Sequence, residues 1–356
     1  MHFNHGEINY DYKRYVSRKA AFIGFGGASL LAVIVLSISS GAAGIPLPDV
    51  VKALLGAGAT PRYDVIIWNI RLPQALAAVV AGAGLAVSGA VMQSILRNPL
   101  GSPFTLGISH AAAFGAALAV MIADSSSMTT AKTQAAIVSN PYLTTFMAFI
   151  FCLAAAGVIV GISKLRGAAP ETMVLAGVAL GALFTAGTMF LQFFADDVQL
   201  AAMVFWTFGD VGRASWSELA ILTAVTLIAS VYFLANGWNY NAVDAGDETA
   251  KGLGVKVERT RMTGMVIASL VTAVIVAFLG IIGFVGLICP HMVRRLIGGD
   301  HRFLLPATMI LGGLLLLASD TVARLILVPH LLPVSVLTAF MGAPVFLWLI
   351  LRGYRR

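Results

Sequence analysis

Apolar runs long enough to be membrane helices recur along the chain, divided by short segments rich in charge, glycine or proline. Within the runs there is no alternation of apolar and polar residues of the kind a barrel strand needs. A helix rises about 1.5 Å per residue, so about 20 apolar residues cross the hydrocarbon layer, and lipid offers nothing to an open backbone. The pattern predicts spans at Ala21–Ser40, Gln74–Leu96, Phe104–Ala123, Tyr142–Ile162, Met173–Phe194, Ser217–Ala235, Thr263–Leu279, Ile281–Ile297, Leu304–Arg324 and Pro333–Leu351. The eighth run is short, holds Pro290 and ends in Arg294 and Arg295. The expected fold is all-α, an integral membrane protein of about ten helices forming a single domain over 1–356.

Composition agrees. Hydrophobic residues make up 59% and charged residues 11% of the chain, where a soluble domain carries roughly 45–50% and roughly 25%. Many of the 36 glycines lie inside the apolar runs, as in Ala81–Gly89, and read first as close helix packing. Cys152 and Cys289 lie within apolar runs and read as small buried hydrophobes. The run Ala21–Ser40 is too long for the core of a cleavable signal and reads as the first helix, with 1–20 as a cytoplasmic tail.

Charge orients the bundle. All of the 23 Lys and Arg except Lys52, Arg62, Arg71, Lys132, Arg213 and Arg324 fall in segments that lie inside when the N-terminus is inside. Both termini are thus expected in the cytoplasm. The basic residues are spread over several loops, which gives no footprint for nucleic acid.

Three segments between spans carry structure of their own. Gly44–Asn69, outside, contains Ile45–Leu55, an expected short interfacial helix. Val198–Ser215, also outside, carries Trp206 and leads into Trp216, residues suited to the headgroup level. Gly237–Met262, inside, is charged, and Ala242–Leu253 is expected to form one short polar helix stopped by Gly252 and Gly254. Such a loop is either a solvated face or a docking surface for a soluble partner. Ser125–Asn140 is polar and insertion-like.

Several chemistries are missing from the sequence. It contains no His-Glu-x-x-His zinc motif, no Gly-x-Ser-x-Gly elbow and no phosphate-binding Walker A loop. An ion-driven secondary transporter, the main alternative, often carries acidic residues at mid-membrane. Here Asp320 is the acidic residue inside the core region of a span, and Arg324 stands one helical turn away to neutralise it.

In order and at matching spacing, a set of motifs runs along the chain from Arg71 to Phe346. They are Arg71-Leu-Pro, Ser88-Gly-Ala-Val-Met-Gln, Asn98-Pro-Leu-Gly-Ser-Pro-Phe-Thr-Leu-Gly-Ile, Leu175-Ala-Gly-Val-Ala-Leu-Gly, Gly283-Phe-Val-Gly-Leu-Ile-Cys-Pro-His, Gly299-Asp-His-Arg, Asp320-Thr-Val-Ala-Arg, Leu332-Pro-Val-Ser-Val-Leu-Thr-Ala and Gly342-Ala-Pro-Val-Phe. In these the chain resembles the FecCD-type permeases, the membrane subunits of ATP-driven importers for iron-siderophores, haem and cobalamin. The resemblance implies a BtuC-like type II importer fold in the inner membrane. It implies pairing with a second copy or a related permease, two cassette ATPase subunits that hold the ATP and Mg, and an external binding protein, with no cofactor on this chain.

The resemblance also carries residue roles. Arg71 and Arg324 match outer arginines that pair with carboxylates of the binding protein, a helix-end arginine at the headgroups being the plainer alternative for each. Gln74 stands where some relatives carry a further arginine. Glu248, Lys251, Gly252 and Gly254 match the coupling helix that seats on the ATPase. Pro170 and Glu171 match a cytoplasmic gate, while Glu171 also suits a helix N-terminus. Asn98, Pro99, Pro290, His291, Gly342 and Pro344 mark helix breaks near the pathway, and no metal site is expected. His110, on the third span, reads as a neutral packed histidine or a functional group.

Overall fold

The computed structural model describes residues 10–41, 44–56, 60–125, 141–327 and 330–353. Among them the chain is helical, with no strand. The helices are α1 (Tyr10–Ser39), α2 (Leu47–Leu54), α3 (Pro61–Ile66), α4 (Leu72–Ile95), α5 (Ile108–Ser125), α6 (Pro141–Leu165), α7 (Pro170–Phe194), α8 (Asp197–Thr207), α9 (Trp216–Ala235), α10 (Gly237–Asp244), α11 (Asp247–Gly252), α12 (Val257–Leu279), α13 (Val285–Ile297), α14 (His301–Leu325) and α15 (Val334–Gly353). Seven described segments are long and apolar enough to cross a membrane: 12–39, 61–95, 142–165, 170–194, 216–235, 257–279 and 301–325.

Each predicted span meets a helix, and the differences are local. α1 begins at Tyr10, inside the expected tail. α13 starts only at Val285, because Gly280 (φ 77°) and Phe284 (φ 66°) hold left-handed conformations that end α12 and delay the next helix. Its 13 residues rise about 20 Å, short of a bilayer. The expected Ala242–Leu253 helix is a correction: Gly246, at φ 116°, breaks the segment into α10 and α11. Residues 126–140 of the insertion-like segment lie outside the described residues.

α4 is the axis of the bundle. It packs on α14, α12, α13 and α9, and its Ala- and Gly-rich sequence is buried along nearly its whole length. Small residues let the neighbours close in. A Cβ on Gly89 would stand 1.8 Å from the carbonyl oxygen of Gly286 on α13, and one on Gly82 would stand 2.2 Å from that of Gly312 on α14. By contrast α7 presents Leu175, Val178, Leu183, Phe190 and Phe194 outward.

Candidate functional site

The first cluster forms where α1 ends and α4 begins. Pro73 has no N–H to donate and its ring crowds the preceding carbonyls. The chain widens before it into a π-turn at Ile67–Arg71, with Leu72 N–H donating to Ile67 O five residues back. That turn points Arg71 at the end of α1. Its Nη1 donates to Ile38 O at 2.6 Å and to Ser39 O at 3.0 Å, carbonyls that the helix end leaves without internal donors. Arg71 is 7% exposed. Nearby, Arg324 Nε donates to Asp320 Oδ2 at 2.9 Å and Gln74 Nε2 to Asp320 Oδ1 at 3.1 Å. Arg324 Nη2 reaches Ser37 Oγ at 2.8 Å. Arg71, Gln74 and Arg324 therefore do come together, but around the end of α1 and facing the protein. Exposed at the same end are Lys52, Arg62 and Trp68, the last stacked on Trp216 at 6.3 Å between ring centroids.

The axis links this end to the other. Pro290, inside α13, leaves the carbonyl of Gly286 without its helical donor. That carbonyl is the one lying against Gly89. One turn on, Gln93 Nε2 donates to Leu287 O at 3.1 Å. The Ser88-Gly-Ala-Val-Met-Gln and Gly283–His291 motifs thus fit one another: a glycine and an amide of α4 read the broken start of α13. Gly342 of α15 closes on the same place, where a Cβ would meet Ile288 Cδ1 at 2.6 Å. Pro344 is exposed on α15.

At the far end α4 stops with Arg97 in a left-handed conformation (φ 47°). Asn98 N donates back to Gln93 O at 3.0 Å, and Asn98 Oδ1 accepts from Leu100 N at 2.9 Å. A cavity of about 360 Å³ opens here, lined by Gln93, Arg97, Asn98, Pro99, Asp244, His291 and Arg294. His291, far from Asn98 and Pro99 in sequence, shares its wall with them. Asp244, at the end of α10, lies 3.4 Å from Arg294 Nη1. Burial pushes the Asp244 carboxyl above the usual range, against the pull of Arg294 and Ser94. Behind it, His301 Nδ1 and Asn241 Oδ1 are 2.8 Å apart, and His301 Nε2 and Ser94 Oγ 2.8 Å. Asn241 Nδ2 also donates to Asp300 at 3.1 Å. Burial would raise the Asp300 carboxyl, but hydrogen bonds from Arg302 and Asn241 hold it down at about 2.

Arg261 on α12 completes this end. It is 2% exposed. Its Nε donates to Ile95 O at 2.6 Å, its Nη1 to Ala168 O at 3.0 Å, and its Nη2 to Asp247 Oδ1 at 3.0 Å. Asp247 opens α11, whose Glu248 and Lys251 pair at 3.0 Å on the exposed face. Gly252 ends that helix in open space, and Gly254 turns the chain at φ 84°. Pro170 and Glu171 begin α7, with Glu171 exposed in its first turn.

In the sequence Arg261 falls within the charged inner segment Gly237–Met262. Its helical spacing from Val257, Gly264, Met265 and Ala268, all buried, places it on the inner face. His301 lies in the Gly299-Asp-His-Arg motif, but its pairing with Asn241 is visible only in the contact between α10 and α14. Among the described residues, no group of three or more His, Cys, Asp or Glu could hold a metal ion.

The model of the FecCD transport family matches residues 29–352. A Methanocaldococcus jannaschii protein named as an ABC transporter permease is 52% identical over 98% of this chain and 99% of its own. The hemin transport system permease protein of Yersinia pestis is 38% identical over 80% of this chain and 83% of its own. A solved structure of a metal-chelate type ABC transporter in an inward-facing conformation matches with a TM-score of 0.80 and 30% identity, covering 94% of this chain and 99% of that one.

Proposed function

The chain belongs to the FecCD transport family, and from that premise we propose that it is the permease subunit of an importer carrying an iron(III)-siderophore across the cytoplasmic membrane, with cobalamin or haem as the next candidates. It is a multi-pass membrane protein, and its relatives are permeases of ABC importers. The driving ATP and Mg belong to a separate cassette ATPase, and an external binding protein delivers the cargo. Both termini and the α10–α11 segment face the cytoplasm, as the distribution of Lys and Arg favours.

The observation that carries this reading is α11. It is a short helix on the rim of the bundle, with Leu253 70% exposed beside it and its first residue held by a buried arginine. An exposed apolar side chain on an anchored element suits docking to a second protein. The exposed apolar faces of α7 and α15 suit a second permease copy or a related permease across the pathway. Pro170 and Glu171 then stand at the cytoplasmic gate. Arg71, Gln74 and Arg324 shape the outer rim for the binding protein, with Lys52 and Arg62 as the exposed charges beside them.

An ion-driven transporter is the competing reading, and the Asp320–Arg324 pair weighs against it. The acid is matched at 2.9 Å by a base on its own helix, which leaves no unpaired carrier of protons there.

The test is ATP hydrolysis by the chain in lipid with its cassette ATPase and binding protein. A ferric siderophore, cobalamin and haem are supplied in separate arms. Hydrolysis that needs this chain and rises with loaded binding protein upholds the importer, and the stimulating arm names the cargo class. Failure of the ATPase to associate, with uptake abolished by an uncoupler, overturns it.

A further inference from the structure

α11 is only six residues long and packs on α10 and α12. A push on so small an element travels through whatever it is tied to. Its tie is Asp247, whose carboxylate accepts from Arg261 Nη2 at 3.0 and 3.2 Å. The two other nitrogens of that guanidinium grip separate segments. Nε holds Ile95 O, in the last residue of α4, and Nη1 holds Ala168 O. Ala168 lies two residues before Pro170, in a left-handed conformation (φ 57°), within a turn closed by its own N–H to Ser163 O at 2.8 Å.

A guanidinium is planar and rigid, with its donors in a fixed fork, so three acceptors can be held at once only in one relative arrangement. Lysine, whose three donors radiate from one nitrogen, could not span them. The bonds are charge-assisted, and Arg261 is shut away from the water that would otherwise replace a lost partner. α4 is the buried axis, so Ile95 supplies the fixed leg. The other two legs sit on elements at the surface. A displacement of Asp247 rotates the fork and with it the hold on Ala168 O.

We propose that Arg261 is the positioning residue that links movement of the coupling helix α11 to the gate turn at the start of α7. The proposal rests on the permease reading given above. Its geometry, however, belongs to the chain alone.

Two measurements test it. In the reconstituted complex, the readout is cargo moved per ATP hydrolysed. Asp247→Ala cuts one leg and lowers this ratio about tenfold, the worth of one charge-assisted hydrogen bond. Asp247→Asn keeps an acceptor and restores most of it. An unchanged ratio in Asp247→Ala, or an Asn variant no better than Ala, overturns the link. The second measurement uses the full chain in lipid without the ATPase. Spin labels are placed at Leu253→Cys and Arg166→Cys, both exposed positions, while the native Cys152 and Cys289 are buried and escape labelling. The expected result is one narrow distance that broadens when Asp247→Ala is added. An unchanged distribution sinks the proposal even if the importer stands. A broadened one upholds it even if no ATPase associates.

Discussion

Both ends of this molecule use arginine to answer a carboxylate, and they use it to opposite effect. At the Arg71 end, Arg324 and Asp320 lie one turn apart on α14, while Arg71 caps the last carbonyls of α1. Every partner belongs to a long helix or to the π-turn that leads into one. At the Arg261 end the partners are the first residue of a six-residue helix, a helix terminus and a left-handed turn. The first arrangement fastens long helices to one another. The second fastens short surface elements to the axis, where a partner's movement can reach them. Buried charge is therefore no mark of function by itself; the mobility of what it holds decides.

Replacing Arg324 with Met should produce the largest loss of stability. Among the described residues it leaves Asp320, 4% exposed, with Gln74 as its remaining side-chain donor, and stranding a buried carboxylate costs about 3–5 kcal/mol. Unfolding in detergent reads the loss, and Asp320→Asn in the same chain should recover much of it. If the single variant unfolds like the parent, the first end is not a fastening and the contrast between the two ends disappears.

Arg71→Met should cost less. Among the described residues the bonds lost are those to the carbonyls of Ile38 and Ser39, and Ser39 O keeps the N–H of Ile45, so the loss is about 1–3 kcal/mol. The same unfolding assay checks it, and Arg71→Lys should fall between. A loss as large as that of Arg324→Met would show that Arg71, too, answers a buried charge.

The long helices of both ends were legible in the sequence because apolar length is the signal lipid imposes. The fit of Gly89 to Gly286 was legible only as a preference for small residues, since which helix approaches is a matter of tertiary packing. The break at Gly246 was missed because a polar stretch with Gly252 and Gly254 already supplied a helix stop, and nothing local marked the earlier glycine as a second one at positive φ. The burial of Arg71 and the inward pairing of Arg324 were hidden for a related reason. A helix-end arginine looks the same in sequence whether it meets headgroups, a partner or the carbonyls of a neighbouring helix. Arg261 alone carried a readable sign, its register with the buried face of α12.

The smallest change in stability is expected at Gly252, where the change in function should be largest. A side chain there meets nothing within 4 Å, and the residue closes α11 without a positive φ, so Trp fits the chain as well as Gly does and is the better helix former. Gly252→Trp should unfold with the parent. In the reconstituted complex it should weaken association with the cassette ATPase and lower ATP-driven uptake, because the new ring occupies space that only a partner would fill. The two arginines predict the reverse pattern at the other end: altered unfolding with ATPase association intact. Unchanged uptake in Gly252→Trp would remove α11 from the docking surface. The contrast would then reduce to two structural arginine clusters, and the Arg261 link would need a different element to receive the push.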